Sequence, residues 1–291
     1  MKLTCVTATF NCIKAGNRER LIRCVESVAK LKIEHEHLIY DGASTDGTVD
    51  LLHELESITP GLKIVSEPDA GIYDALNKGV RDAKGEWFYV LGADDYICAP
   101  LVLDDILENI EERDDAIVTT VRKQTRISEE KWFVNICELD NIFCAPCVCH
   151  QGELIRTRVV RQLGGFDTRY SIAADSDLFF RAHLSGVKFK YLFRVFAFFS
   201  YGGCAVQNLD IAMREHRISV ANALHLNERQ KIDFVDKIFL LPKRIVLMLL
   251  RHSDVCIKKS AIRMMKLYLK RWFRFVFYPI VWATRSIRYR I

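Results

Sequence analysis

A chain of 291 residues, half of them apolar and 27% charged, is large enough to bury a full core and has the composition of an ordinary globular protein, not a low-complexity one. Its net charge of +5 is unevenly spread: residues 1–235 hold 28 Lys/Arg against 35 Asp/Glu, a net −7, whereas residues 236–291 hold 14 against 2, a net +12. The ten cysteines come without the apolar core and small-residue cleavage site of an export signal, which points to a reducing cytosol and free thiols.

Hydrophobic periodicity predicts a strand at Leu3–Ala8 and a helix over Arg18–Lys30. A second strand, His37–Tyr40, meets the polar turn Asp41–Gly47, and the helix Thr48–Ile58 that follows closes at Pro60-Gly61. A third strand, Leu62–Ser66, leads through Glu67-Pro68-Asp69-Ala70-Gly71 into a helix at Ile72–Ala83, and Gly85 resets the chain into the strand Trp87–Leu91. This alternation of strand and helix is the pattern of a parallel sheet covered by helices, an α/β protein. Further on the pattern gives a helix at Leu101–Glu111, strands at Ala116–Arg122 and Trp132–Val134, and a turn at Gly164–Asp167. A helix at Asp175–Leu184 opens on acids that suit its N-terminal dipole, and strands at Phe189–Phe193 and Val195–Tyr201 follow. Beyond Asp210 the pattern is helical almost to the end.

The richest stretch is Leu91-Gly92-Ala93-Asp94-Asp95, where an apolar strand runs into two adjacent carboxylates. Two such groups repel and need a proton or a cation between them, and a Mg²⁺ or Mn²⁺ carrying phosphates satisfies that need. An Asp-rich turn capping the next helix is the plainer alternative. Four loops at strand ends (Thr9-Phe10-Asn11, Asp41–Gly47, Asp69–Gly71 and Gly92–Asp95) converge on one edge of such a sheet, where α/β proteins bind ligands. The chain has neither GxGxxG after its first strand nor GxxxxGK[ST], which excludes a nucleotide-sugar dehydrogenase and a P-loop enzyme. Cys144-x-x-Cys147-x-Cys149-His150 lacks the second knuckle of a zinc site and reads as small buried residues near a cleft.

The series Asp41–Thr48, then Ser66-Glu-Pro-Asp-Ala-Gly-Ile-Tyr-Asp-Ala-Leu-Asn-Lys-Gly79, then Leu91–Asp95 resembles family 2 glycosyltransferases over about residues 1–200. The nearest group is the one that builds bacterial O-antigen and exopolysaccharide repeat units on a lipid carrier. The resemblance implies a GT-A fold, a mixed and mostly parallel sheet flanked by helices, and inverting transfer from a nucleotide-sugar, with UDP the expected nucleotide. By position, Thr7, Thr9 and Asn11 would border the nucleotide and Asp41 would hold its base. Asp69, Asn77, Lys78 and Ala93 would line the donor site, and Asp94, helped by Asp95, would bind the divalent metal. Gly92 stands where the family's DxD motif has its first acid. After Gly164-Gly165-Phe166-Asp167, Asp175 aligns with the base that deprotonates the acceptor hydroxyl, and Ala174 replaces the acid before it. Capping of its helix by Asp175 is the plainer alternative, and the two roles can coexist. His150 and Gln151 would face a sugar, Arg181 would make a salt bridge or touch a phosphate or the acceptor, and Gly202-Gly203 would form a loop near the diphosphate. Gly92 and Ala174 leave open an alternative, a catalytically silent membrane-bound scaffold of the same fold.

On this pattern the chain divides into a glycosyltransferase domain over 1–205 (a nucleotide-sugar half, 1–100, and an acceptor half, 101–205) and a helical basic region, 206–291. From Ile238 onward apolar and aromatic residues alternate with Lys and Arg, and no stretch reaches the roughly eighteen uncharged apolar residues of a spanning helix. Such a mixture suits an anionic membrane surface reached from the cytoplasmic face; packing against the acidic body is the alternative. No nucleic-acid-binding motif accompanies the charge. The expected partners are therefore a nucleotide-sugar, a lipid-linked saccharide acceptor and the inner face of the cell membrane.

Overall fold

The computed structural model describes residues 1–125, 128–135, 149–200, 202–203, 207–229, 231, 249–251, 258, 262 and 266. The chain forms two compact units, Met1–Glu138 with Pro146–His216, and Leu139–Ala145 with Arg217–Ile291.

The first half of the larger unit follows the predicted order: β1 (Leu3–Thr9), α1 (Arg18–Ala29), β2 (His35–Asp41), α2 (Thr48–Ile58), β3 (Leu62–Ser66), α3 (Ile72–Asp82) and β4 (Trp87–Val90). Then come β5 (Tyr96–Ile97), α4 (Pro100–Glu108), β6 (Ala116–Thr125) and β7 (Ser128–Asn135). A 3-10 turn at His150–Gly152 leads into β8 (Glu153–Arg156), α5 (Thr157–Gln162), α6 (Ala174–Leu184), β9 (Phe189–Phe199) and α7 (Leu209–Ala223). The strands form one sheet in the order β3-β2-β1-β4-β8-β6-β9-β5, with β7 on β6. β3, β2, β1 and β4 are mutually parallel, and β8 is antiparallel to both β4 and β6.

Alternation along the strands decides which side of the sheet each residue serves. Leu3, Cys5, Trp87, Tyr89 and Leu91 share a buried core with Cys24 and Val28 of α1 and Leu103 and Leu107 of α4. A second cluster packs Ile39 and Leu62 against Leu21 and Val25 of α1 and Leu51, Leu52 and Leu55 of α2. The intervening residues Val6, Ala8, Phe88 and Val90 face the other way, toward α3. α3 lies so close to β1 that a Cβ on Gly79 would stand 2.5 Å from Val6 Cγ1.

Several features depart from the sequence reading, among them the short strand β5, which was not foreseen. β8 and α5 occupy a stretch where only the turn after them is foreseen, because four strand residues and six helical ones leave too little periodicity to read. The two strands expected at Phe189–Phe193 and Val195–Tyr201 are a single strand, β9. Its register against β6 jumps from Thr119–Leu192 to Thr120–Val195, so Phe193 and Arg194 bulge out where the break was expected. α4 ends at Glu108, short of the predicted Glu111. Of the second unit, the described residues are 217–229, 231, 249–251, 258, 262 and 266, and they include the end of α7 and His225, whose φ is +52°. Most of the basic region 236–291 lies outside the described residues, and among the described ones no helix is long and apolar enough to cross a membrane.

The Gly79 contact is testable. A helical Gly→Ala change gains about 1 kcal/mol of helix propensity, whereas forcing a methyl into a packed site costs about 1–3 kcal/mol. Val6 is fully buried and β-branched, so it cannot swing aside. Gly79→Ala is therefore expected to lower the urea midpoint with an unchanged m-value, a net loss of about 1 kcal/mol; a higher midpoint would show that β1 yields.

Candidate active site

Leu91 N still bonds Val6 O (3.0 Å) as β4 ends, so β1 guides the chain into the acid turn, which closes with Asp95 N on Gly92 O at 3.0 Å. The turn separates its two acids. Asp95 is 1% exposed and accepts Gln151 Nε2 at 2.6 Å and the Ser200 amide at 2.8 Å, while the Ser200 hydroxyl donates to the Asp94 carbonyl. Burial, then the neighbouring Asp94 charge, pushes the Asp95 carboxyl up to about 7. Asp95 is thus a brace for three segments, not the second metal ligand expected of it. Asp94 keeps a 24% exposed side chain at the cavity described below, with Arg20 Nη1 at 4.0 Å; burial raises its carboxyl despite that guanidinium. A Cβ on Gly92 would lie 2.5 Å from Asp95 Oδ2, so the place of a first DxD acid is already filled by the Asp95 carboxylate.

Among the described residues no cluster of three or more His, Cys, Asp or Glu could hold a metal alone. The single open carboxylate of Asp94 nonetheless fits Mg²⁺ or Mn²⁺, which are commonly held by one or two carboxylates with phosphate oxygens and waters filling the rest.

Opposite the acid turn, Asp175 occupies the first turn of α6. Its Oδ2 meets His150 Nδ1 at 3.0 Å, and its Oδ1 accepts the Ser176 amide at 2.7 Å, with the Tyr73 hydroxyl, which donates to Ile172 O, 3.4 Å away. Burial works to raise the Asp175 carboxyl, but the His150 hydrogen bond and charge, with these other donors, outweigh it and hold the group below the ordinary 3.8. Burial likewise works against the His150 imidazolium, and the hydrogen bond and charge of Asp175 lead the influences that overcome it, placing His150 above its ordinary 6.5. The loop that delivers Asp175 is fixed by Glu215 of α7, whose carboxylate accepts the amides of Ser171, Ile172 and Ala173 and the Ser171 hydroxyl at 2.7–3.0 Å.

Asp94, Ala93, His150 and Asp175 all line one cavity of about 260 Å³ on the α3 side of the sheet. Most of its other residues were not singled out from the sequence, and Phe10 only as part of the Thr9-Phe10-Asn11 loop. Phe10, 64% exposed, and Ala8 are the even partners of Thr7 and Thr9, so strand alternation alone could have found them. Glu153 of β8 carries no motif signal; burial, then the Asp175 charge, pushes its carboxyl up to about 8.

Several motif residues sit elsewhere. Thr7 points to the α1 side, where its hydroxyl meets His37 Nε2 at 2.9 Å and Cys24 Sγ at 3.9 Å. Thr9 is buried and donates to Asp41 Oδ1 at 3.0 Å. Asp41, also buried, takes further bonds from the Ser44 amide and hydroxyl and from the Ser66 hydroxyl, so its oxygens brace the loop and are not turned to a base. Asn11 joins the same loop through Ser44 and the Thr45 amide, with φ +46°. Asp69 accepts the Gly71 amide at 2.8 Å at the start of α3. Asn77 exchanges two 2.8 Å bonds with the backbone of Phe166, stapling α3 to the Gly164–Asp167 turn instead of lining the cavity. Lys78 pairs with Glu67 at 2.7 Å and with Pro68 O. Gln151 is buried on Asp95, and Arg181 spends its guanidinium on Asp177, Leu163 O and Gly165 O, the salt bridge and not the acceptor. Cys149, whose thiol burial pushes up to about 12, bonds Gln151; Cys144 and Cys147 lie outside the described residues. Gly203 approaches Asp94, its Cβ position 4.0 Å from Oδ2.

An acid turn at the end of a central parallel strand, set across a cavity from a helix-borne carboxylate, belongs to a GT-A-type fold. Solved structures share it: S. aureus TarS 1–349 in complex with UDP matches with a TM-score of 0.61 at 16% identity, over 93% of this chain and 92% of that one. The mannosyltransferase PcManGT of Pyrobaculum calidifontis, solved with GDP-Man and Mn²⁺, matches with a TM-score of 0.60 at 18% identity, over 100% and 88%. The family model for glycosyl transferase family 2 matches residues 4–187, and the chain belongs to that family. A "PGL/p-HBAD biosynthesis glycosyltransferase" of Mycobacterium bovis (strain BCG / Pasteur 1173P2) is 30% identical over 156 residues, 53% of this chain, and the match spans 60% of that relative's length. The chondroitin synthase of Pasteurella multocida (strain Pm70) is 25% identical over 227 residues, 72% of this chain and 22% of its own.

The Asp175–His150 pair has a measurable signature. Since the folded value of His150 is raised, the pair's stabilisation is fully present below the unfolded 6.5 and is lost as pH rises through the folded value. An NMR titration should place the His150 imidazole inflection above 6.5, and Asp175→Asn should bring it down; an inflection indifferent to that substitution would refute the pairing.

Proposed function

We propose that the protein is an inverting glycosyltransferase that moves one sugar from a UDP-sugar to a hydroxyl of a lipid-linked saccharide in bacterial surface polysaccharide synthesis. One observation carries this reading: Asp94 and the Asp175–His150 pair face a single cavity, the first open to a cation and the second ionised. In the reaction, Asp175 takes the proton of the acceptor hydroxyl as its oxygen forms a bond to the anomeric carbon. The bond from that carbon to the diphosphate breaks on the opposite face, which inverts the configuration. Asp94 would hold the divalent metal, which supplies neutralisation of the departing diphosphate. Tyr73, Ser176 and His150 orient the base, and Glu215 holds the loop in front of it.

Membership of family 2 supports the transferase reading, and TarS, solved with UDP and with UDP-GlcNAc, supports the uridine nucleotide. PcManGT, solved with Mn²⁺, supports the metal. Gly92 and Ala174 leave the open acid and the ionised base in place, which speaks against a silent scaffold. The lipid-linked acceptor and the membrane contact rest on the motif resemblance and on the +12 charge of residues 236–291.

Incubation with a panel of UDP-sugars and Mn²⁺ should release UDP, and mass spectrometry should identify the glycosylated product. Asp175→Asn is expected to lower kcat by about 10²–10⁴-fold, the range of a general base; an undiminished rate would remove Asp175 from that role. Asp94→Asn should raise the Mn²⁺ concentration needed for half-maximal turnover. For the membrane, the full chain should float with vesicles containing anionic phosphatidylglycerol, not with neutral phosphatidylcholine, and should come off as salt rises. Equal flotation with both lipids would overturn the electrostatic anchor.

A further inference from the structure

Three of the polar side chains that line the cavity have partners within the protein. The Tyr73 hydroxyl donates to Ile172 O at 2.5 Å, and Asp175 and His150 hold each other. The walls between them and Asp94 come from Ile72 and Leu76 of α3, Phe88 and Val90 of β4, Ile155 of β8 and Leu178 of α6. Glu153 stands alone among these side chains as a polar group, placed there by alternation: Leu154 faces the opposite core while Glu153 and Ile155 face the cavity. These statements hold for the described residues.

A fully hydroxylated hexose would bury several hydroxyls against such walls, and a hydroxyl taken from water without a partner costs about 1–3 kcal/mol. The volume, about 260 Å³, is below the roughly 300–1,000 Å³ of drug-sized pockets and suits a single ring. A ring reacting between the Asp94 diphosphate site and the base at Asp175 has to pass through this space. The exocyclic carbon is the part of a hexose that projects furthest from the ring, and a methyl group placed against an apolar wall needs no hydrogen bond.

We infer that the cavity takes the transferred sugar as a hydroxyl-poor hexose of the 6-deoxy class, and that Glu153 reads one of its remaining hydroxyls. The inference rests on the proposed UDP-sugar reading and names the sugar class within it. The chemistry of Glu153 suits that role. With its carboxyl pushed up to about 8 it is a neutral acid at pH 7, able both to donate and to accept a hydrogen bond without bringing a second negative charge beside Asp175. An apolar site rejects an added hydroxyl only modestly, by about a hundredfold at most, whereas loss of the one group that pairs a buried hydroxyl is felt in full.

Calorimetric titration of the full chain with Mg²⁺ tests this using matched pairs that differ only at C6: UDP-glucose with UDP-6-deoxyglucose, and UDP-N-acetylglucosamine with its 6-deoxy counterpart. UDP alone serves as the reference, so the ratio of each Kd to that of UDP isolates the sugar. The 6-deoxy member of at least one pair should bind tenfold or more tightly than its partner, a difference of about 1.4 kcal/mol. Equal binding within both pairs, or preference for the 6-hydroxyl, overturns the sugar class while UDP binding leaves the donor reading standing; failure to bind UDP, UDP-sugars or other nucleoside diphosphates overturns both. Glu153→Leu should remove about tenfold of the sugar's contribution, and Glu153→Gln, which keeps both hydrogen-bonding functions, should stay within about threefold of the parent. Circular dichroism melting checks that each variant folds, and if Glu153→Leu does not, a Gln variant that has lost tenfold or more refutes the neutral hydrogen-bonding role.

Discussion

The site depends on one buried carboxylate. Asp95 gives up contact with water to bond Gln151 Nε2 and the Ser200 amide, and through them it ties the end of β4 to the turn before β8 and to the end of β9. A charge in such surroundings is costly, and burial together with the Asp94 charge accordingly moves the Asp95 carboxyl toward neutrality. The consequence is geometric. With Gln151 held on one side of the turn, His150 is carried to the cavity; with Asp95 turned inward, Asp94 is turned outward. The same inward turn explains Gly92, since any side chain there would collide with the Asp95 carboxylate. The missing first acid of the DxD motif is therefore the steric companion of a residue that braces the fold.

Much of the fold was legible because the first ninety residues carry strong periodicity bounded by glycine and proline. The helix Thr48–Ile58 and the strand Leu62–Ser66 coincide with the structure at both ends. Legibility failed where elements are short or irregular. β8 offers only Glu-Leu-Ile-Arg, and an acid at its first position hides the apolar alternation that would mark a strand. In β9 the bulge at Phe193 and Arg194 interrupts the pattern without ending the strand. In both places pairing with distant strands, antiparallel to β4 and β6 for β8 and parallel to β6 for β9, supplies hydrogen bonds that local sequence does not announce.

The site was legible in a different way. Motif resemblance picked out residues that matter without separating those that face the cavity from those that hold its frame. Asn77 and Arg181 both close on the Gly164–Asp167 turn, Lys78 on the loop before α3, and Asp41 on three hydroxyl-bearing neighbours. A frame residue recurs in a family for the same reason a reactive one does, because its loss misplaces the chemistry. Parity on a strand separates the two classes better: Thr7 and Thr9 serve the α1 side and the loop, and Ala8 and Phe10 serve the cavity. Glu215 lies beyond both kinds of signal, since an acid on a distant helix acquires its role only when the loop at Ser171–Ala173 is folded against it.

Two carboxyls close to the same histidine end up in opposite states, and the reason is hydrogen bonding, not burial alone. Asp175 and Glu153 both lose water, which pushes both upward. Asp175 recovers through donors, chiefly the His150 imidazole and the Ser176 amide. Glu153 sits on an apolar wall and has Asp175 as its like-charged neighbour, so the proton settles there. Environments that drive two acids apart assign them different work. The ionised one can accept a proton from an incoming hydroxyl, and the neutral one can hold a sugar hydroxyl without repelling the base. On the proposed reading, one cavity would thereby keep a base and a recognition group of the same chemical kind from competing for a single proton.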